Sequence, residues 1–229
     1  MRIDRKQLED GVTPDRLMAL WAKERGCEGE RYHPLPYHLL DVAVVAEAVW
    51  DEVLTGQERE EIARRLGLSV DNARRWVCFL AGSHDVGKAS VAFALNVESQ
   101  RPRLQRAGFA AELMGGDLPH GVVSARALRS SLHARFDCDS LDAETMAVAV
   151  GGHHGVVPSK GELVPKPRAE GEGVWAKARD SLLELLAETL GVPRDRPRQV
   201  DFATAMWLAG FVSVVDWIGS NTEYFACAA

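Results

Sequence analysis

The sequence predicts an all-α fold, in which helices surround one hydrophobic core. Apolar residues recur at helical spacing along most of the chain, and no convincing run of strict alternation predicts a strand. The length of 229 residues, with 46% hydrophobic and 26% charged residues, is that of an ordinary globular protein with one substantial core. Because the composition does not shift along the chain, we expect a single domain over residues 1–229.

The first helices begin at recognisable signals. Thr13 and Pro14 are suited to the N-cap and first position of a helix that runs through Trp21. Pro36 opens a second helix, in which His38 shares one face with the valines at positions 42, 45 and 49. We therefore expect His38 to point into the core.

The rest of the chain continues in the same pattern. Asp71 can cap a third helix, whose apolar face leads to His84. Further helices are predicted around residues 87–95, 119–132, 141–151, 173–190 and 199–219. Glycine and proline interrupt the pattern at residues 96–118 and 155–173. The second of these segments is predicted to be a mobile loop at the mouth of a site, with a solvated connector as the alternative.

Charge and cysteine content narrow the classes of partner. The net charge is −6, whereas proteins that hold nucleic acid by bulk electrostatics are usually basic. Nucleic-acid binding would therefore rely on metal ions, a local basic patch or another protein. The four scattered cysteines form no CxxC pair, which favours reduced thiols in a cytoplasmic protein. No signal peptide is visible and no uninterrupted apolar run reaches the ~18 residues of a membrane span, so we expect no membrane partner.

The chemically informative residues are histidines and aspartates in apolar surroundings. His84 and Asp85 are adjacent after an apolar stretch, and such a pair can bind one metal ion from two directions. Taken together, the candidate metal ligands are His38, His84, Asp85, His120, His153, His154 and Asp216. Each one alone is compatible with a satisfied core residue or a surface histidine. The ordered set predicts a two-metal site.

The donor types indicate the class of metal. Imidazole nitrogen mixed with carboxylate oxygen suits transition metals, whereas magnesium and calcium prefer oxygen throughout. The set therefore favours two divalent transition-metal ions, with iron, manganese, nickel or cobalt preferred to zinc or magnesium. Two such ions roughly 3.5–4 Å apart can share a carboxylate and bind a phosphate between them. A buried carboxylate such as Asp216 is costly without a cation, which supports the same interpretation.

Two further features lie close to the candidate ligands. Glycines flank His153 and His154, and they would let the backbone bend so that both imidazoles reach one site. Lys88 follows His84 by one helical turn, within reach of a phosphate held by the metals. We therefore expect Lys88 to take part in catalysis, with a solvated helix cap as the alternative.

Several short motifs together resemble a known family. They are His-Asp-Val-Gly-Lys at 84–88, Pro-His-Gly at 119–121 with Ser124, Gly-His-His-Gly at 152–155 and Asp-Trp-Ile-Gly-Ser-Asn at 216–221. The set is similar to the HD superfamily of metal-dependent phosphohydrolases, and more specifically to the HD nuclease domain of CRISPR-associated type I helicase-nucleases. The likeness extends over nearly the whole chain. It implies a helical bundle of the HD superfamily with a dinuclear metal site in its core.

The resemblance also implies a function and a role for each residue. The family's HD domain cuts single-stranded DNA, which a helicase delivers after an RNA-guided surveillance complex has opened the target duplex. The ligands of one ion would be His38, His84, Asp85 and Asp216. Those of the second ion would be Asp85, His120, His153 and His154. Asp85 would bridge the two ions, Lys88 would contact the phosphate, and Ser213 or Ser220 would line the site.

The chain departs from the family pattern in one respect that concerns its partners. Residues 86–89 are not a phosphate-binding P-loop, because the upstream glycine and the hydroxyl residue are missing. We therefore expect the helicase to be a separate domain or subunit. Two alternative functions remain: an HD phosphohydrolase acting on nucleotides or signalling nucleotides, and a non-catalytic metal-binding interaction module. A cyclic-dinucleotide phosphodiesterase would carry Gly-Tyr-Pro after the paired histidines, which is absent at residues 155–158.

Overall fold

The computed structural model describes residues 12–23, 32–109, 117–225 and 227, and these residues are mostly helical. Within these ranges eleven helices, α1 to α11, are Pro14–Met18, Leu35–Ala48, Gly56–Leu66, Val70–Gly82, Val91–Ala94, Arg101–Arg106, His120–Phe136, Ser140–Gly151, Pro167–Glu170, Val174–Thr189 and Phe202–Gly219. A π-helical turn at Val49–Val53 extends α2, and 3-10 turns lie at Val86–Lys88 and Glu98–Gln100. Strands β1 (Trp21–Lys23) and β2 (His33–Pro34) pair antiparallel. The predicted all-α fold is confirmed.

Five of the longer helices enclose the core. Helix α7 packs on α8, α2 packs on α4, and α11 packs on both α2 and α8. The aromatic rings of Trp76 in α4 and Phe136 in α7 meet edge to face at 4.8 Å, and the buried apolar side chains form one large continuous cluster. The single domain over residues 1–229 stays a prediction.

Helix α11 has the most apolar sequence of the bundle. By length and composition alone, its 18 residues with a mean hydropathy of 1.5 would be sufficient to cross a membrane. Its buried residues include Phe211, Val212 and Val215, which belong to the hydrophobic core. This packing is typical of a central helix in a helical bundle, and the predicted lack of a membrane partner stays a prediction.

Tertiary contacts end the first helix earlier than its periodicity predicts. Helix α1 ends at Met18, and Trp21, predicted to be helical, lies in β1 instead. The Trp21 indole donates a hydrogen bond to the carbonyl of Ala94 at 3.1 Å and packs on the ring of Phe93 at 4.6 Å. These contacts hold the segment in an extended conformation, because local helical preference is weaker than the burial of an indole.

Side-chain caps explain two other differences between the predicted and the observed helices. Ser69, and not Asp71, is the N-cap of α4, because the Ser69 side chain accepts a hydrogen bond from the backbone amide of Asn72. Helix α3 is an element that the predicted set lacks, and Thr55 and Glu58 form a reciprocal capping box at its start. That Thr-x-x-Glu spacing is a visible helix signal in the sequence.

Two segments also differ in detail from their predictions. The helix predicted at 87–95 is a 3-10 turn followed by the separate helix α5, because the Ser90 side chain caps a new helix by accepting from the Phe93 amide. The segment 155–173 contains α9, which the guanidinium of Arg179 anchors through the carbonyl of Gly171 at 2.9 Å. The mobility of this segment stays a prediction.

The described cysteines are not all reduced. Cys78 and Cys138 are buried free thiols, and burial raises the pKa of Cys78 to about 12. Cys227 is disulfide-bonded, so the expectation of a reduced thiol is wrong at that position. Cys27 lies outside the described residues, and a cytoplasmic location stays a prediction.

Candidate metal centre

The structure brings all seven predicted ligands together at the centre of the bundle. They form two groups that share Asp85, and within each group the donor atoms lie within 4.8 Å of one another. We call His38, His84 and Asp216 the inner cluster. We call His120, His153 and His154 the outer cluster.

Helix ends deliver most of these side chains. His84 and Asp85 directly follow the last turn of α4, and His120 is the first residue of α7. The adjacent His153 and His154 follow the last turn of α8. Since neighbouring side chains on a regular helix diverge by about 100°, only a helix end lets two adjacent residues reach one site. The two remaining ligands lie within α2 and α11, on faces that point into the core.

Two glycines set the spacing of the outer cluster. A Cβ atom on Gly121 would lie 2.4 Å from the carbonyl oxygen of Gly151, and one on Gly151 would lie 2.5 Å from that of Gly121. The start of α7 and the end of α8 therefore approach more closely than any side chain would permit. This approach places His120 Nε2 at 3.2 Å from His154 Nε2.

Asp85 presents one carboxylate oxygen to each cluster. Its Oδ2 atom lies 2.9 Å from His38 Nε2 and 3.3 Å from His84 Nε2. Its Oδ1 atom lies 3.1 Å from His120 Nε2 and 3.5 Å from His153 Nε2. This arrangement is suited to a carboxylate that bridges two ions.

Several candidate metal-binding atoms of the site are buried without a hydrogen-bond partner. They are His84 Nε2, His153 Nε2 and Asp85 Oδ1. His84 Nε2 lies 3.2 Å from Asp216 Oδ1, but without hydrogen-bond geometry. Leaving a buried polar atom without a partner costs about 1–3 kcal/mol of folding free energy. A divalent cation can bind both imidazole nitrogen and carboxylate oxygen. The residues therefore fit divalent metal ions.

Backbone carbonyls orient two of the buried imidazoles. His84 Nδ1 lies 2.9 Å from the carbonyl oxygen of Ala81, and His153 Nδ1 lies 2.9 Å from that of Val150. With the proton on Nδ1, each ring donates to its carbonyl and turns the lone pair of Nε2 towards Asp85. Such a contact is the usual way in which a protein fixes the tautomer of a metal-binding histidine.

The electrostatics of the inner cluster favour cations. Burial alone would lower the pKa of His84. The carboxylates of Asp85 and Asp216 have the larger combined effect and raise the pKa of His84 to about 9. Burial lowers the pKa of His38 to about 4 despite its hydrogen bond to Asp85. Burial would raise the pKa of Asp85, yet Lys88 and His84 hold it well below its ordinary value. The centre thus keeps its carboxylates ionised, and metal binding would require His84 to lose its proton.

Comparison with known proteins identifies the family. The family model described as "Cas3, HD domain" matches residues 21–225. The chain belongs to the Cas3 HD domain family. The curated "CRISPR-associated endonuclease/helicase Cas3" of Thermus thermophilus is 34% identical over 219 residues, which are 91% of this chain and 22% of that protein. The chain therefore spans about a fifth of the length of this relative.

Solved structures show the same Cas3 HD fold. A crystal structure of a CRISPR-associated protein matches 95% of this chain and 24% of its own, with a TM-score of 0.85 and 41% identity. The Thermus thermophilus Cas3 HD domain in the presence of Ni²⁺ matches 94% of this chain and 81% of its own, with a TM-score of 0.69 and 29% identity. A chain from a structure of a CRISPR RNA-guided surveillance complex before nicking matches 91% of this chain and 25% of its own, with a TM-score of 0.76 and 28% identity. The predicted HD-superfamily bundle is confirmed.

Lys88 lies against the carboxylate that joins the clusters. Its Nζ atom is 2.5 Å from Asp85 Oδ2, and its side chain is 13% exposed. The ammonium also lies 5.4 Å from the centre of the Phe93 ring. A Cβ atom on Gly87 would lie 2.1 Å from the carbonyl oxygen of His120, so the turn that carries Lys88 is pressed against α7. The position fits a role in phosphate contact, and that role stays a prediction.

The two predicted site-lining serines support different clusters. Ser220 Oγ donates a hydrogen bond to Asp216 Oδ1 at 2.8 Å, in the inner cluster. Ser213 Oγ donates to the backbone carbonyl of His153 at 2.6 Å, in the outer cluster. Both serines therefore contact candidate ligands, whereas direct contact with a substrate stays a prediction.

Sequence reasoning overlooked three neighbours of the site. His33 is buried, and its Nε2 lies 2.6 Å from Asp41 Oδ2. Phe93 packs edge to face on His120, with ring centres 5.4 Å apart. Lys23 reaches the end of α11 through the carbonyl of Ser220. None of the three lies in one of the motifs, and the pairing of the two strands places Lys23 opposite His33, close to the start of α2.

Proposed function

We propose that this chain is a metal-dependent nuclease, which uses two divalent transition-metal ions to hydrolyse phosphodiester bonds of single-stranded DNA in CRISPR type I interference. The observation that carries the proposal is the carboxylate of Asp85, whose two oxygens face two separate imidazole clusters. A structural metal site is coordinatively closed. Here His154 is exposed and His120 is partly exposed, so the outer cluster is accessible to a substrate.

One ion would be held by the inner cluster and the other by the outer cluster, with Asp85 shared between them. Ions bound there would supply Lewis acidity, which lowers the pKa of coordinated water and offsets charge on the phosphoryl oxygens. The mixture of nitrogen and oxygen donors favours iron, manganese, nickel or cobalt over zinc or magnesium. The related HD domain whose structure was solved in the presence of Ni²⁺ supports this class of metal.

The protein's own side chains would position the substrate and hold the ligands in place. Lys88 would contact a phosphate oxygen and offset the negative charge that develops there. Backbone carbonyls would accept the Nδ1 protons of His84 and His153, and these contacts keep Nε2 directed at the centre. The hydroxyl of Ser220 fixes the orientation of the Asp216 carboxylate. These residues need no large rearrangement before the reaction.

The proposed partners follow from what the relatives are. A curated relative is named an endonuclease/helicase and is much longer than this chain, and a related structure is that of an RNA-guided surveillance complex before nicking. We therefore propose a helicase domain or subunit and an RNA-guided surveillance complex as partners. The net charge of −6 is consistent with a domain to which other parts deliver the strand.

The test is cleavage of circular single-stranded DNA, since a circle offers no ends to an exonuclease. The chain should cut the circle with manganese, nickel or cobalt and leave it intact with chelator. Asp85→Asn should lower the rate on the order of 10³-fold, because both ions lose their shared ligand. Asp71→Asn is the matched control, since Asp71 lies on α4 with 68% of its side chain exposed and pairs with Arg75. It should cut at the wild-type rate.

The other outcomes distinguish the alternative functions. A circle that stays intact with every metal, together with hydrolysis of free nucleotides, would favour a nucleotide phosphohydrolase. Metal binding without hydrolysis of either substrate would favour an interaction module. Equal rates for Asp85→Asn and the wild type would mean that a contaminating nuclease cuts the circle.

A further inference from the structure

We propose that Trp217 is a stacking platform, which binds one unpaired base of the DNA strand beside the metal centre. The inference rests on the proposed function and deepens it, because it names a contact that only an unpaired strand can make. Metal ions and Lys88 would contact phosphate, which single and double strands have in common. An aromatic side chain instead binds the face of a base that has left its duplex.

Trp217 is open to a ligand. It is 81% exposed, although tryptophan is highly buried on average. All six tryptophans of the chain lie in the described ranges, and the other five are buried or partly buried. The indole of Trp217 therefore adds little to the core, and most of its surface is free to contact a ligand.

The backbone of α11 places Trp217 beside both clusters. Ser213 precedes it by four residues and Ser220 follows it by three, so the three side chains are neighbours on one side of the helix. Ser213 Oγ donates to the backbone carbonyl of His153 at 2.6 Å, and Ser220 Oγ donates to Asp216 Oδ1 at 2.8 Å. The indole therefore leaves the helix between a contact to the outer cluster and a contact to the inner cluster.

The surface around the indole carries no charge on α11. The only charged residue of this helix is Asp216, which is buried at the inner cluster. Val214 is exposed on the same helix, and Val156 is 75% exposed two residues after His154. A surface of this kind neither attracts nor repels phosphate. It suits the apolar face of a base, and stacking adds affinity that a chain of net charge −6 does not obtain from bulk electrostatics.

The position of Trp217 favours a strand over a protein as the occupant. His154, which directly follows the residue that Ser213 contacts, is exposed to solvent. A strand bound at the outer cluster passes this end of α11, whereas a protein docked there would compete with it. Phe202 lies at the other end of α11, roughly 22 Å away along the helix axis. It is 80% exposed and thus offers a matched aromatic residue far from the centre.

The first test compares Trp217→Ala with Trp217→Phe and with the matched control Phe202→Ala. We would measure kcat and KM on a single-stranded oligonucleotide with manganese, together with metal content and Tm. For Trp217→Ala we expect KM to rise about 10-fold with kcat nearly unchanged, because one stacked base is lost. Trp217→Phe should keep most of the affinity, and Phe202→Ala should keep the KM of the wild type. Metal content and Tm should stay unchanged in all three variants.

The second test uses fluorescence and does not depend on cleavage. With chelator present, a single-stranded oligonucleotide should quench the emission of Trp217 when a base stacks on the indole. An abasic oligonucleotide of the same length has the same phosphates but no bases, so it should bind more weakly and quench little. Trp217→Phe should still bind the normal strand but lose the quenching.

The remaining outcomes would contradict the inference in different ways. An unchanged KM in Trp217→Ala would overturn it while leaving the nuclease function intact, and would favour a protein partner on this face. Lower metal content or Tm in Trp217→Ala would assign the residue to the support of Asp216 instead. Equal binding and quenching by the normal and abasic strands would mean contact with the backbone and not with a base. A wild-type chain that neither binds nor cuts single-stranded DNA would overturn both proposals.

Discussion

The inner and outer clusters of the metal centre differ in burial, although they share Asp85. In the inner cluster His38 and His84 are 1% and 0% exposed, and they lie between core helices. In the outer cluster the His120 side chain is 19% exposed and His154 is exposed to solvent. The inner cluster is therefore part of the hydrophobic core, and the outer cluster is accessible from solvent.

This difference predicts that the two clusters contribute differently to folding and to catalysis. Removing a partner from a buried charged group leaves the other charge uncompensated, which destabilises the fold. Removing an exposed imidazole changes little besides metal binding. A bound ion adds stability by mass action in both cases, but only the inner cluster needs its cation or proton in order to fold.

The largest effect on stability is expected when one histidine of each cluster is replaced by alanine. His84→Ala leaves the carboxylates of Asp85 and Asp216 without their buried cationic neighbour, and we expect a loss of about 3 kcal/mol of unfolding free energy. His154→Ala should change that free energy by no more than about 0.5 kcal/mol. Both variants should lose most of the nuclease activity. Urea unfolding in the presence of chelator measures the unfolding free energy without a contribution from bound metal.

The comparison would break if the two variants had equal unfolding free energies. Equal losses would mean that the outer cluster is as much a part of the core as the inner one. Equal stabilities close to the wild type would mean that water enters the inner cluster and replaces the missing imidazole.

The sequence predicts which residues converge at the centre better than it predicts their surroundings. His38 shares a helical face with core valines, and His84 and Asp85 end an apolar helix, so their inward direction follows from periodicity alone. The close approach of Gly121 to Gly151 depends on how α7 meets α8, and no local pattern contains that information. The same holds for Trp21, which leaves its helix because residues 73 positions further along the chain offer a hydrogen bond. Long-range packing determined what the local signals could not.

A smaller effect is expected from the helix contact that sets the outer cluster. Gly121→Ala would place a Cβ atom 2.4 Å from the Gly151 carbonyl oxygen, and we expect it to cost about 1–3 kcal/mol because α7 and α8 must separate. The second metal ion should bind more weakly than the first in this variant. Calorimetric titration with manganese would resolve the two binding events.

Gly210→Ala is the matched control for that substitution. A Cβ atom on Gly210 meets nothing within 4 Å, and the residue lies inside α11. Alanine there should stabilise the fold by about 0.5–1 kcal/mol through helix propensity. If Gly121→Ala weakened both binding events equally, the contact would serve the whole centre and not the outer cluster alone.

The smallest effects sharpen the comparison at the level of single hydroxyl groups. Ser220→Ala removes a hydrogen bond to the Asp216 carboxylate itself, and we expect it to lower the affinity for one ion about 10-fold. Ser213→Ala removes a hydrogen bond to the backbone carbonyl of His153, and not to its imidazole, so a weaker effect on the other ion is expected. His153 also keeps its Nδ1 contact with Val150, which holds the ring without the serine. If Ser213→Ala weakened metal binding more than Ser220→Ala, the backbone after α8 and not the carboxylate of α11 would limit the geometry of the centre.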